Sequence, residues 1–227
     1  MSRKERVRQK EFGFTNWGGK RKGAGRKPKC EVAGMPHAKR PEFAARFPLH
    51  VTLKLERGLP SLRHRTPFLA LKRALGAASE RFGFRLVHYS IQSNHLHLIV
   101  EAEGARALSR GVKGLAIRIA KALNALWGRA GSVFADRYHS RILETPREVR
   151  NALRYLFLNV HKHGVRLLDG FDPFTSGECF DGWKGGGSMS AESSTGPFGC
   201  ARTWLLRIGW RRHGLLSWST DPSPAST

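Results

Sequence analysis

The chain has 227 residues, 40% of them hydrophobic, enough for one domain with a full apolar core plus extensions. Lys and Arg number 40 against 17 Asp and Glu, a net charge of +23, which repels itself in a compact state unless a polyanion is near, so nucleic acid is the expected partner. No run of about 18 apolar residues offers a membrane span, and the opening MSRKERVRQK has no apolar stretch of the signal-peptide kind. Cys30, Cys179 and Cys200 lie far apart, without the paired spacing of a zinc site or disulfide framework, and point to a reducing compartment.

Residues 1–48 carry 14 Lys or Arg against four acidic residues, with few aliphatic side chains. Such a segment cannot bury enough apolar surface to offset its ordering entropy, and a mostly disordered, DNA-contacting arm is expected. Its basic centre, GGKRKGAGRKPK, supplies Arg26 and Lys27 as expected phosphate contacts.

From Leu49 the pattern becomes periodic. LHVTLKL (49–55) puts Val51, Leu53 and Leu55 on one face and His50, Thr52 and Lys54 on the other, which predicts a half-buried strand. A linker with Pro60 and Pro67 follows, then a helix over 67–82 and a strand, FRLVHYSIQ, over 84–92. Ser93 and Asn94 turn tightly into HLHLIVEA (95–102), a second clear alternation. Leu108, Val112, Leu115, Ile119, Ala122 and Leu126 recur at steps of four and three, predicting a long amphipathic helix over 105–127. SVFADRYHSRIL (132–143) reads as extended, and Thr145-Pro146-Arg147-Glu148 opens a last helix over 146–163, with Thr145 as N-cap and Pro146 in the first turn.

The order is strand, helix, strand, strand, helix, strand, helix. This predicts an α+β fold whose first six elements form a ferredoxin-like βαββαβ unit with an antiparallel sheet, followed by an added C-terminal helix. Helices cover one face of that sheet, and the other is expected to be free for a ligand. The domain is placed at 49–164. Residues 165–227 read as a linker, GGGSMSAESSTGPFG, and a basic aromatic tail, in which Trp204, Trp210, Arg211 and Arg212 either stack on bases or pack on the domain.

His95 and His97 stand two apart on a strand, so both leave the face opposite Leu96, Leu98 and Val100. Two imidazoles about 7 Å apart along the strand can converge on one divalent ion. On the last helix, Val149, Leu153, Leu156 and Val160 form the apolar stripe, while Glu148, Ala152, Tyr155 and Asn159 form a second line beside it. Tyr155 and Asn159 are thus neighbours on one flank, and an amide oxygen there can complete a metal site beside the phenol.

Three stretches, QSNHLHLIVEA (92–102), VFADRYHSRIL (133–143) and RYLFLNVHKHG (154–164), together resemble the HUH single-tyrosine transposases, and more narrowly the REP-associated tyrosine transposases of bacteria. The resemblance implies that His95 and His97 bind Mg²⁺ or Mn²⁺, that Tyr155 is the nucleophile, and that Asn159 stands where the wider family often has a glutamine ligand. It makes the added helix the catalytic one. It also implies transposition chemistry on single-stranded or hairpin, REP-like DNA through a 5′-phosphotyrosine intermediate, in a cytoplasmic, nucleoid-associated bacterial protein acting as monomer or homodimer. A phenol ionises near pH 10, so a metal that polarises the phosphate must supply much of the catalysis.

Further DNA contacts are expected from Arg106, Arg110 and Lys113 on one helix face, and from Arg137, Tyr138 and His139 by phosphate contact and stacking. Tyr89 and Tyr138 are the rival tyrosines, Tyr89 being placed for packing. A catalytically silent, domesticated hairpin-binding protein is the alternative. RNA binding on an open sheet is weaker, because histidines stand where RNA-recognition motifs carry aromatics.

Overall fold

A computed structural model describes residues 41–77, 79–159, 172–185 and 198–217. Arg26 and Lys27, most of the basic arm, Val160 and the end of the last expected helix lie outside the described residues.

The alternating segment forms β1 (Leu49–Lys54), with Leu49, Val51 and Leu53 buried. It is followed by α1 (Arg65–Gly76), a two-residue β2 (Glu80–Arg81), β3 (Phe84–Ile91) and β4 (His95–Ala102). Then come α2 (Ala105–Leu126), β5 (His139–Ile142) and α3 (Pro146–Leu158). The strands make one sheet in the order β2-β3-β4-β1-β5. All its pairings are antiparallel. Without β2, this is the strand order of the expected βαββαβ unit. The stretch expected as extended over 132–143 is a strand only at its end, and Phe134 makes one isolated bridge to Leu55.

Leu49, Val51, Leu53, Leu96, Leu98 and Val100 meet α1 and α2 in a first core, which also takes in Leu71, Leu108, Val112, Leu115 and Ile119. Burial of the α2 stripe turns to Leu123 in the last turn, leaving Leu126 partly exposed. Gly111 lets α2 approach the sheet, since a Cβ there would run into the Phe84 ring.

The other face of the sheet is not left free. Leu86 pairs with Val100 in the first core, so Val87 alternates to this side and joins Ile99, and the bulge between Leu86 and His88 returns Tyr89 and Ile91 to the first core. Val87 and Ile99 form a second core with Val149, Leu153, Leu156 and Phe157 of α3 and with Phe180, Trp183, Leu206, Trp210 and Leu216 of the tail. The correction has a simple cause: Val87 and Ile99 are apolar, and removing them from water is worth roughly 2 kcal/mol each.

The tail is pinned to the sheet by polar contacts. Glu101 accepts the backbone N–H of Arg202 and of Thr203, the latter at 2.7 Å. Arg63 holds the buried carboxylate of Asp172 by two bonds of 2.9 and 2.8 Å. Backbone bonds from Ser176 to Tyr89 and from Gly199 to Leu86 occupy the outer edge of β3, which would otherwise be open to other strands. After a short α4 (Trp204–Arg207) comes a 3-10 turn over Gly209–His213. It buries Trp210 to 1% exposure, whereas Trp204 stays 47% exposed, with the Arg212 guanidinium 4.8 Å above its ring. Of the two readings of these tryptophans, packing is what the structure gives Trp210.

Two outcomes follow from the second core. Trp210→Ala should lower stability in urea unfolding by about 3–5 kcal/mol, and Trp204→Ala by less than about 1 kcal/mol. His88 sits between the Phe157 and Phe180 rings, 5.4 Å from each, and burial pushes its pKa down to about 4 against a weaker opposing pull from Asp181. The unfolded chain takes up this proton near pH 6.5 and the folded one only near 4, so stability falls as pH drops through that window. His88 should account for about 2 kcal/mol of the loss by pH 5, and His88→Leu should shrink the difference between urea titrations at pH 7.5 and 5 by that amount.

Candidate active site

β1 and β4 pair so that Thr52 lies opposite His97, Lys54 opposite His95 and His50 opposite Ile99. Residues directly opposite in an antiparallel pair share a face. The polar half of β1 is therefore laid beside the histidine pair. His97 is central to the cluster and only 4% exposed.

Each ring nitrogen of His97 has defined neighbours. Its Nδ1 lies 3.1 Å from His50 Nε2 and 3.2 Å from Thr52 Oγ1. Its Nε2 lies 3.0 Å from His95 Nε2 and 3.5 Å from the Tyr155 hydroxyl. His95 in turn donates Nδ1–H to Asn94 Oδ1 at 2.8 Å, which leaves a lone pair on its Nε2. The Tyr155 ring stands nearly edge-on to His97, with centroids 5.0 Å apart.

His97 and His50 are held neutral. Burial, then the neighbouring His50 and His95, push His97 down to about 3. Burial, then His139 and Arg141, push His50 down to about 4. Neutral rings keep the lone pairs that a metal or a hydrogen bond requires.

Tyr155 reaches the cluster because α3 is firmly started and firmly seated. Thr145 and Glu148 form a capping box with Pro146 between them in the first turn, and Glu148 also binds Arg141 at 2.9 Å. Val149, Leu153 and Leu156 are fully buried, while Tyr155 remains 37% exposed and leans over His97.

The structure thus brings together His95, His97 and Tyr155. Asn159 caps the end of α3 at 3% exposure, where its Nδ2 has no hydrogen-bond partner and it makes no hydrogen bond to the histidines or Tyr155. Among the described residues, no group of three or more His, Cys, Asp or Glu side chains could hold a metal by itself.

The expected DNA contacts divide between the two sides of the sheet. His139 pairs with Thr52 and Arg141 with His50, so both rise from the site's own face. Arg106, Arg110 and Lys113 are exposed on α2, which packs on the opposite face. Arg110 lies over the exposed Phe82 ring at 5.1 Å. Tyr138 is buried in the first core and lines a cavity of about 250 Å³ with Lys113 and Arg137. Tyr89 is also buried there, and burial raises its pKa.

Sequence reasoning missed His50, Thr52, Asn94 and Arg141 as members of the site. The alternation already put His50 and Thr52 on the polar side of β1. Only the register of β1 on β4 reveals what they touch.

The sequence matches no protein-family model and no curated protein. Its fold is similar to that of a solved REP-associated tyrosine transposase bound to a REP hairpin. The TM-score is 0.50 at 18% identity, over 63% of this chain and 82% of that one. The shared feature is the architecture: a mixed α+β domain built on an antiparallel sheet. Among the described residues, no helix is long and apolar enough to cross a membrane.

Because α3 carries Tyr155, its start can be tested directly. Thr145→Ala should cost about 1 kcal/mol in urea unfolding and Thr145→Ser should recover most of it. Equal stability of all three proteins would show that the box does not anchor the helix.

Proposed function

We propose that this chain cuts and rejoins single-stranded, hairpin-forming DNA, with Tyr155 as nucleophile and with Mg²⁺ or Mn²⁺ held by His95 and His97. The observation that carries the reading is the convergence of three groups, the Nε2 atoms of both histidines and the Tyr155 hydroxyl, within 3.0 and 3.5 Å around His97. Similarity of fold to a hairpin-bound tyrosine transposase and the net charge of +23 support the choice of substrate.

The donor set fits a divalent ion. Two nitrogens bound side by side at about 2.1 Å and a right angle lie about 3.0 Å apart. The Asn94 contact keeps the His95 Nε2 lone pair aimed at its neighbour. Asn159, through its amide oxygen, is the candidate third protein ligand, and phosphate oxygens would complete the shell. When bound, the ion would polarise the scissile phosphate and offset the charge that develops on its oxygens.

The chain's own groups then have defined tasks. Tyr155 attacks phosphorus, a phenolic O–P bond forms and the P–O3′ bond breaks, leaving a 5′-phosphotyrosine and a free 3′-OH. One phosphoester replaces another, so neither water nor ATP is consumed, and attack by a 3′-OH reverses the step and frees Tyr155. His139 and Arg141, on the face and edge nearest His50, are placed to meet phosphates. This is a nucleotidyl-transfer reaction of the transposase kind.

With Mn²⁺, the purified protein should form a covalent adduct with a labelled single-stranded hairpin oligonucleotide, seen as a shifted band on a denaturing gel. Tyr155→Phe should abolish the adduct; persistence would move the nucleophile elsewhere. The double variant His95→Ala, His97→Ala should lose at least about 100-fold in adduct formation yet keep most of its salt-dependent binding, because phosphate contacts are separate from the metal. Wild-type protein that binds the hairpin and never forms an adduct would favour the silent, hairpin-binding alternative.

A further inference from the structure

The proposed metal reading makes a demand that the two ligand histidines cannot meet alone. His97 can offer Nε2 to an ion only when its ring proton sits on Nδ1, and a buried Nδ1–H needs an acceptor. Without an ion, the opposite tautomer serves better, since Nε2–H can donate to the His95 Nε2 lone pair at 3.0 Å. The choice between the two tautomers is made on the Nδ1 side of the ring.

Two groups face that nitrogen, His50 Nε2 at 3.1 Å and Thr52 Oγ1 at 3.2 Å. They are not equivalent. A hydroxyl donates or accepts by rotation, so Thr52 satisfies either tautomer and selects neither. An imidazole nitrogen has one role for each tautomer: with the His50 proton on Nδ1, its Nε2 can only accept. The His50 ring is fixed beside His97, with centroids 5.1 Å apart and planes at 39°. It is also held at the edge of Tyr155, 5.9 Å away.

We propose that His50 is the positioning residue that makes His97 a metal ligand: its Nε2 accepts Nδ1–H of His97 and so leaves Nε2 of His97 bare for the ion. Partners that fix a metal-binding histidine in this way are commonly carboxylates, backbone carbonyls or water. Here a third imidazole from the neighbouring strand does the same work. A carboxylate would place a negative charge next to the phosphate-binding site; an imidazole accepts the bond while remaining neutral.

This inference rests on the metal-dependent reading, and the experiment separates the two. Mn²⁺ affinity of the full chain without DNA is measured by calorimetry and by loss of the free-ion electron paramagnetic resonance signal. His50→Leu should weaken binding roughly 10–100-fold, whereas His50→Gln, whose Oε1 falls near the Nε2 position and accepts there, should stay within about threefold of wild type. Thr52→Val should also stay within that range. Should His50→Leu fail to fold, His50→Asn, whose amide stops short of His97, takes its place. Long-range nitrogen–proton correlations of the imidazoles, with Mg²⁺ as the diamagnetic ion, should show the His97 proton on Nδ1 in wild type and in His50→Gln.

Wild-type affinity in His50→Leu would overturn the assignment, and so would equal weakness of the Leu and Gln variants, which would reduce His50 to packing. A large loss in Thr52→Val with none in His50→Leu would transfer the role to Thr52. Absence of Mn²⁺ binding by the wild-type chain would remove the metal reading itself, and this inference with it.

Discussion

The pairing of β1 with β4 is the constraint on which the candidate site depends. Both strands alternate, and both send their apolar residues, Leu49, Val51 and Leu53 from one and Leu96, Leu98 and Val100 from the other, into the first core. A slip of one residue would turn every one of these outward, at roughly 2 kcal/mol for each side chain exposed. The register is therefore fixed by side chains that take no part in chemistry. On the back of that register Thr52 stands opposite His97, and His50 comes within 3.1 Å of its Nδ1. Nearly complete removal of His97 from water disfavours its charged form.

Tyr155 depends on the other core. Among the described residues Val87 and Ile99 represent the sheet there; most of the remaining apolar surface comes from α3 and the tail, with Leu143 and Phe47 beside them. Phe180 stacks on Trp210 with centroids 5.4 Å apart, and the Trp210 indole donates to the Leu206 carbonyl at 3.1 Å. Arg150 of α3 binds the Gly214 carbonyl at 2.9 Å. The tail thus acts on the candidate site through packing. It fills the groove against which α3 is seated, and α3 holds the phenol over His97.

Much of the fold was legible because alternation and helical spacing are local signals. The strands at 49, 84 and 95, the long helix at 105 and the capped helix at 146 all follow from patterns within a dozen residues. The second core was not legible, because its tail residues, Phe180, Trp183, Leu206, Trp210 and Leu216, obey no single period and are separated by Gly-rich sequence. The sheet face was expected to be open for the same reason: Val87 and Ile99 lie on the histidine face, but what covers them comes from α3 and from tail residues that no local pattern announces. At the site, the alternation identified the face of His95 and His97, and helical spacing put Tyr155 beside Asn159. The role of His50 could not be read, since no local pattern states which strand lies beside which, or in what register.

The distribution of charge gives the molecule a direction. The cations of α2 and the histidine cluster lie on opposite faces, so a nucleic acid that meets both must pass around an edge of the sheet. The β3 edge is covered by Thr175, Ser176 and Gly199 of the tail. At the β5 edge, Lys113 and Arg137 share one cavity, and His139 and Arg141 follow on the strand paired with His50 and Thr52. Basic residues therefore stand on α2, beside the β5 edge and on β5 itself, with Asp136 among them in the shared cavity.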